Sequence, residues 1–202
     1  MTAPLDALRR YYSGRTPDLM GARHRFAVLC PLVEQNGELH LLFEVRAAGL
    51  PQAGEVCFPG GHAEPGENAV DCALRETEEE LAIPAEEITL LGRMDFLYRR
   101  QTLLHPVLGL VSPGGMDAMH PSPGEVAEVF TVPLNFFRTT PPEVYTYETI
   151  PQVGDDFPYE AVGISRKDPW VREQVEVPIW QYGGHTIWGL TARIVRNLIS
   201  AL

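Results

Sequence analysis

Along this chain the apolar positions come in runs whose period changes, and those changes mark the elements. Residues 25–33 and 38–45 are runs rich in Leu, Val and Phe, separated by Asn36-Gly37. That dipeptide takes positive φ readily and suits a two-residue hairpin, so two antiparallel strands are predicted. Residues 46–54 contain Gly49-Leu50-Pro51 and read as an irregular loop leading to a short strand at 55–58. Two more strands are expected at 88–98 and 103–111, turning at Arg99-Arg100-Gln101, followed by a long loop over 112–124. A strand at 125–132, a proline-opened helix at 133–138 and a strand at 144–150 come next. Residues 154–170 are mostly irregular, 175–180 a strand, and 187–202 a helix with Ile187, Leu190, Ile194 and Leu198 on its apolar side. Residues 5–12 form a short amphipathic helix ahead of the rest. With no repeat or linker dividing it, the pattern predicts one α/β (α+β) domain over 1–202, a mixed β-sheet between helices with a short N-terminal helical extension.

Residues 58–83, FPGGHAEPGENAVDCALRETEEELAI, hold the chemistry. At about 100° per residue Glu76, Glu79 and Glu80 share one arc of a helix, while Glu78 points elsewhere. Such a face works against the helix: like charges three and four apart cost roughly 0.2–0.5 kcal/mol per pair. Acids near the C-terminus oppose the macrodipole by a further ~0.3–1 kcal/mol each. A hard divalent cation such as Mg2+ would offset this, since it takes carboxylate and phosphate oxygens as ligands. Val70, Leu74, Thr77 and Leu81 are expected to form the buried stripe. The small residues Ala69, Cys72 and Ala73 are expected beside the carboxylates, leaving room for ions.

Composition narrows the class. The 202 residues are 45% hydrophobic with no apolar run long enough for a membrane span, so a soluble protein is expected. The first 18 residues lack the form of a secretory signal, and the terminal Ser200-Ala201-Leu202 lacks the central basic residue of a peroxisomal tripeptide. Cys30, Cys57 and Cys72 show no ligand spacing and read as thiols of a reducing, cytoplasmic compartment. A net charge of −11 argues against a nucleic-acid surface. A phosphate-bearing substrate then needs cations or local arginines to approach.

Gly61, Glu67 and the run Arg75-Glu76-Thr77-Glu78-Glu79-Glu80-Leu81-Ala82-Ile83 together resemble, in type and spacing, the signature of the Nudix hydrolases. Thr77 replaces a usual bulky aliphatic residue, and Ala82 a usual glycine. Leu41-Leu42, Gly54 and Phe58-Pro59-Gly60-Gly61 resemble the added motif of the coenzyme A pyrophosphatase branch. Val45 and Leu50 stand where that motif has arginines, Gln52 where it has histidine, and Arg46 lies one place off. Residues 125–130 and 187–192 are also similar to that branch.

The resemblance implies a Mg2+- or Mn2+-dependent hydrolase of a nucleoside-diphosphate-linked small molecule, with coenzyme A or acyl-coenzyme A first among the candidates. ADP-ribose or NADH is the alternative, and a non-catalytic nucleotide-binding domain a third reading. It implies metal ligands at Glu76, Glu79, Glu80 and the Gly60 carbonyl, a supporting acid at Glu67, and an Arg75 that aims Glu79. Glu76 or a loop carboxylate would accept the proton. A further acid is expected from Glu125 or Glu128, between which spacing does not choose. Family habit also points to a homodimer. Arg46, Arg99 and Arg100 are candidates for gripping substrate phosphates, against the plainer reading of surface arginines. Tyr182 and Trp188 are candidates for stacking a base, against the plainer reading of core aromatics. Neither nucleic acid nor membrane is expected as a partner.

Overall fold

The computed structural model describes residues 3–166 and 170–202. Positions 1, 2 and 167–169, the last within the stretch expected to be irregular, lie outside the described residues. After helix α1 (Ala3–Tyr12), strands β1 (His24–Gln35) and β2 (Glu38–Arg46) form the expected hairpin, with Asn36 at φ 54° and Gly37 at φ 79°. Short strands β3 (Val56–Cys57) and β4 (Gly60–His62) lead to helix α2 (Ala69–Leu81). Strands β5 (Ile88–Arg93), β6 (Leu97–Arg99) and β7 (Thr102–Val111) follow, then α3 (Pro113–Ala118), β8 (Val126–Pro133) and α4 (Leu134–Thr139). The C-terminal part contains β9 (Glu143–Thr149), α5 (Tyr159–Val162), β10 (Glu173–Tyr182), β11 (His185–Trp188) and α6 (Gly189–Ile199).

One mixed sheet has the order β3-β2-β1-β7-β5, with β4 also on β1, β6 on β7 and β8 on β2. β1 and β7 are parallel and the other pairs antiparallel. A second sheet runs β11-β10-β9. Alternation along the strands gives the main sheet two apolar faces. Ala27, Leu29, Val33, Leu42 and Val107 pack with Cys72, Ala73 and Leu81 of α2. Cys30, Leu32, Leu41, Phe43 and Leu104 pack on the other side with Phe137, Trp180, Ile187 and the α6 residues Ile194, Val195 and Leu198. The chain is thus a mixed sheet held between helices. Phe43 anchors the second face, stacked 4.8 Å from Phe58 and 5.5 Å from Phe130.

Four expectations are corrected. The 88–98 strand is broken: register against β7 shifts between Leu90 and Gly92, and β6 starts anew at Leu97. The 112–124 loop contains α3, because Ser112 caps it by accepting the Gly115 N–H at 3.1 Å and Pro113 opens it. Ile187 belongs to β11, opposite Trp180, and the last helix begins only at Gly189. The core face of α2 is rotated from the expected stripe: Cys72, Ala73, Thr77, Glu80 and Leu81 are buried while Val70 and Leu74 are only partly so. The small residues let the helix lie close on β1 rather than making room for ions.

Candidate active site

The Gly-Gly turn is wedged into a fork in the sheet. β1 and β2 pair from Gln35 opposite Glu38 to Leu32 opposite Leu41, and then separate. β3 continues along the free edge of β2 with Cys57 opposite Glu44, and β4 along the free edge of β1 with Gly60 opposite Val28. The Leu29 N–H donates to the Pro59 carbonyl at 2.9 Å across the opening. A Cβ on Gly60 would lie 2.3 Å from the Ala27 carbonyl oxygen, and one on Gly61 2.3 Å from the Glu76 carboxylate. The two glycines therefore serve different ends: one lets backbones close, the other lets a carboxylate lie against the chain.

Helix α2 passes beside this fork. Its N-terminus is capped by Asn68, whose Oδ1 accepts from the N–H groups of Val70 and Asp71 at 2.9 and 3.1 Å. At its C-terminus Ala82 is left-handed (φ 54°, ψ 29°) and donates to the Glu78 carbonyl. That conformation explains the glycine usual in the signature, since it costs an L-residue roughly 1–2 kcal/mol. The carbonyls of Glu80 and Leu81 accept from the backbones of Ser122 and His120 at 2.7 and 2.8 Å. The 112–124 segment thereby satisfies the helix end and brings residue 125 to the site.

Arg75 organises the acids. Its Nε and Nη2 donate to the two oxygens of Glu67 at 2.9 and 3.1 Å, and its Nη1 meets Glu76 at 2.9 Å and Glu79 at 3.0 Å. Glu67 also accepts the Glu64 N–H at 2.9 Å. The guanidinium beside it holds its carboxyl down to about 2. Burial pushes Glu76 up, against the pull of Arg75. Glu80 is buried and accepts the Gly60 N–H at 2.8 Å. Burial first, and then repulsion from Glu44, drives its carboxyl well above the usual range. Glu79, paired with Arg75, is over half exposed.

Glu44, which the residue pattern did not single out, stands beside these acids. It is 1% exposed, and its Oε1 accepts from the Cys57 thiol at 3.2 Å. Its Oε2 is buried and accepts no hydrogen bond among the described residues. Burial raises its carboxyl, and the charge of Glu125 adds to the rise. A signal was present: Glu44 is two residues from Leu42 and so shares its α2-facing side of β2.

The structure separates the two candidate outer acids. Glu125 lies within electrostatic reach of Glu44, Glu76 and Glu80. Glu128 pairs with His185 Nε2 at 3.2 Å, on a ring stacked 3.8 Å from Phe130. The arginines also divide. Arg46 stands near Glu44 and gives its Nε to the Pro51 carbonyl at 3.1 Å. Arg99 and Arg100 line a separate cleft of about 210 Å³ with Leu97, Thr102, Leu104 and Leu190, and Arg99 donates to the Tyr147 hydroxyl. Tyr182 packs edge-on to Phe136 at 4.9 Å, whereas Trp188 is exposed beside α6.

Among the described residues no three His, Cys, Asp or Glu side chains stand as a ready-made cation site, and Arg75 occupies Glu76 and Glu79. The donors nevertheless fit a hard cation. They are all carboxylate or carbonyl oxygens, two of the acids are buried without an ion pair among the described residues, and one of those has an orphaned oxygen.

An acid-rimmed turn beside a helix in a mixed sheet offers the oxygen donors with which a hydrolase could hold cations against a phosphate-bearing molecule. The NUDIX domain model matches residues 23–149, and the chain belongs to the Nudix hydrolase family, the Nudix pyrophosphohydrolases. That family acts on small nucleotide-type molecules and generally uses divalent metal ions. The mitochondrial coenzyme A diphosphatase NUDT8 of Homo sapiens is 33% identical over 199 residues, 96% of this chain and 76% of that protein. The peroxisomal coenzyme A diphosphatase NUDT7 of Mus musculus is 36% identical over 66% of this chain; the match spans only 56% of that protein's length. A Nudix hydrolase NudL of Photorhabdus laumondii is 34% identical over 85% of this chain and 81% of its own. A MutT/nudix family protein from Enterococcus faecalis shares the fold, with a TM-score of 0.51 at 15% identity over 99% of this chain and 70% of that one. No helix among the described residues is long and apolar enough to cross a membrane.

Proposed function

We propose that this chain hydrolyses the pyrophosphate bond of coenzyme A or acyl-coenzyme A, with Mg2+ or Mn2+, to adenosine 3′,5′-bisphosphate and phosphopantetheine or its acyl form. The observation that carries the reading is the pair of buried acids Glu80 and Glu44 with the part-buried Glu76, gathered at a Phe-Pro-Gly-Gly turn in a chain similar over most of its length to coenzyme A diphosphatases.

A divalent cation at such a site neutralises phosphoryl charge and makes a water more nucleophilic. In this reading Glu76, Glu79, Glu80 and the Gly60 carbonyl hold it, with Glu125 rather than Glu128 as the outer acid. As water adds to phosphorus and the bond to the bridging oxygen breaks, Glu76 takes the water's proton. Its burial suits that role, because it raises proton affinity. Arg75 positions Glu76 and Glu79, and Glu67 positions Arg75. Arg46, Arg99 and Arg100 are the phosphate-binding candidates, of which Arg46 lies beside the acids.

Residues 1–202 act as one Nudix domain with an N-terminal helical extension, a reading supported by the core that α6 shares with β1 and β2. A homodimer and a cytoplasmic setting belong to the same proposal; the free thiols of Cys30, Cys57 and Cys72 support a reducing compartment.

The departures at Val45, Leu50 and Gln52 favour a second reading, hydrolysis of ADP-ribose or NADH. Purified protein with Mg2+ is assayed against coenzyme A, acetyl-coenzyme A, ADP-ribose and NADH. A kcat/KM at least about tenfold higher for the coenzyme A pair is expected, and parity with the others overturns the substrate assignment. Glu79→Gln should lower kcat at least about 100-fold with an unchanged circular dichroism spectrum.

A further inference from the structure

We propose that Glu44 is itself a ligand of the divalent-cation site, presenting its Oε2 from strand β2 opposite Glu80, so that one cation sits inside the fork between strand and helix. The inference rests on the cation reading above and adds a residue that neither the acidic helix nor the family signature assigns.

The protein alone satisfies Glu44 in neither protonation state. Ionised, it is a carboxylate at 1% exposure beside Glu80 and Glu125, and it forms no ion pair among the described residues. The nearby guanidinium of Arg46 has its Nε engaged by the Pro51 carbonyl. Protonated, it has a hydroxyl whose buried oxygen has no partner. A buried polar group left this way is costly, and a buried carboxylate more so, unless something coordinates it. The other end of the group is fixed: Oε1 accepts the Cys57 thiol from the strand directly opposite. Glu80 is held in a parallel manner, one oxygen on the Gly60 N–H. Two anchored carboxylates from opposite walls of one opening, in an all-oxygen setting, match the preference of Mg2+ or Mn2+ for hard donors.

The test is Mn2+ titration of the full chain by calorimetry and electron paramagnetic resonance, comparing the parent, Glu44→Gln and Glu80→Gln. Glu44→Gln should fold as the parent does without metal. It should lose one Mn2+ or bind it at least about tenfold more weakly. Parent-like stoichiometry and affinity in Glu44→Gln, with binding weakened in Glu80→Gln, overturn this inference alone. Parent-like binding in both, and in Glu79→Gln, overturns the cation reading beneath it. In the unmutated protein, substoichiometric Mn2+ should broaden the side-chain carboxyl resonance of Glu44 together with that of Glu80. A Glu44 resonance that stays sharp while that of Glu80 broadens also overturns the assignment.

Discussion

Arg75 and Arg172 are both arginines facing glutamates, in two regions that use charge differently. Arg75, beside the fork, is about a quarter exposed and is shared by Glu67, Glu76 and Glu79 at 2.9–3.0 Å. Arg172, just ahead of β10, reaches Glu148 of β9 at 3.4 Å with both side chains about half exposed or more. The first is a multidentate hub in a partly dry setting, where geometry is fixed and proton affinities move. The second is a water-screened pair that adds little. The site is thus built from buried charges that the protein leaves incompletely compensated, while the small sheet carries solvated charges on strands that are largely exposed.

The strongest test of that contrast uses the adjacent glycines. Gly60→Ala drives a Cβ into the Ala27 backbone at a φ of +152°, and should cost about 3 kcal/mol of stability, read as a lowered denaturation midpoint. Gly61→Ala meets the Glu76 carboxylate first, the movable end of a side chain, so it should keep stability within about 1 kcal/mol yet lower kcat by about tenfold or more as Glu76 leaves Arg75.

The pH dependence of metal-free stability comes next in size. Glu44 and Glu80 have folded-state proton affinities above those of the unfolded chain, so between the ordinary carboxylate value of about 4.3 and neutrality the folded state holds more protons. Melting temperature should therefore fall as pH rises through that window, and added Mg2+ should reverse the fall. Glu67 has the opposite sign. Its contribution is present above the ordinary carboxylate range and disappears as pH drops towards about 2. A melting temperature that climbs from pH 5 to pH 8 without metal would contradict the buried-acid account.

Ala82→Gly releases a left-handed alanine at the exposed end of α2 and should raise stability by about 1 kcal/mol, a gain of about 2–4 °C in a chain of this size. Arg172→Ala should change it by no more than about 0.5 kcal/mol, which thermal melts in low and high salt would check.

Much of this was legible in the residues. Asn36-Gly37 marked the hairpin, and the apolar run of 25–33 marked one of its strands. The helix signature brought Glu67, Arg75, Glu76 and Glu79 into one bonded group. What stayed hidden depended on tertiary contact. Glu44 lay inside a run read as apolar, and only the folded chain sets that position beside Glu80, where β1 and β2 separate. Ile187 has helical spacing with Leu190 and Ile194, but pairing with Trp180 keeps it in a strand. Glu125 and Glu128 part at β8: the strand begins at Val126, with Glu125 just ahead of it and within electrostatic reach of Glu76 and Glu80, while Glu128 pairs with His185. Helix α2 looked divided into a core face and a working face, yet Glu80 belongs to both.

The parallel pairing of β1 with β7 bears on how the molecule comes to be made. His24 lies opposite Thr102 and Val33 opposite Val111, and parallel neighbours of this kind are joined by a long crossover. Here the crossover carries α2, so the acids ride on a segment whose ends must find each other across a long span of chain. The hairpin β1–β2 closes locally and early, whereas closing a distant pair is the slow step. A refolding chain should therefore gain its capacity for cations in the slow phase, together with the sheet, and a nascent chain released before residue 111 would carry every glutamate of the signature without the strand that sets them in place.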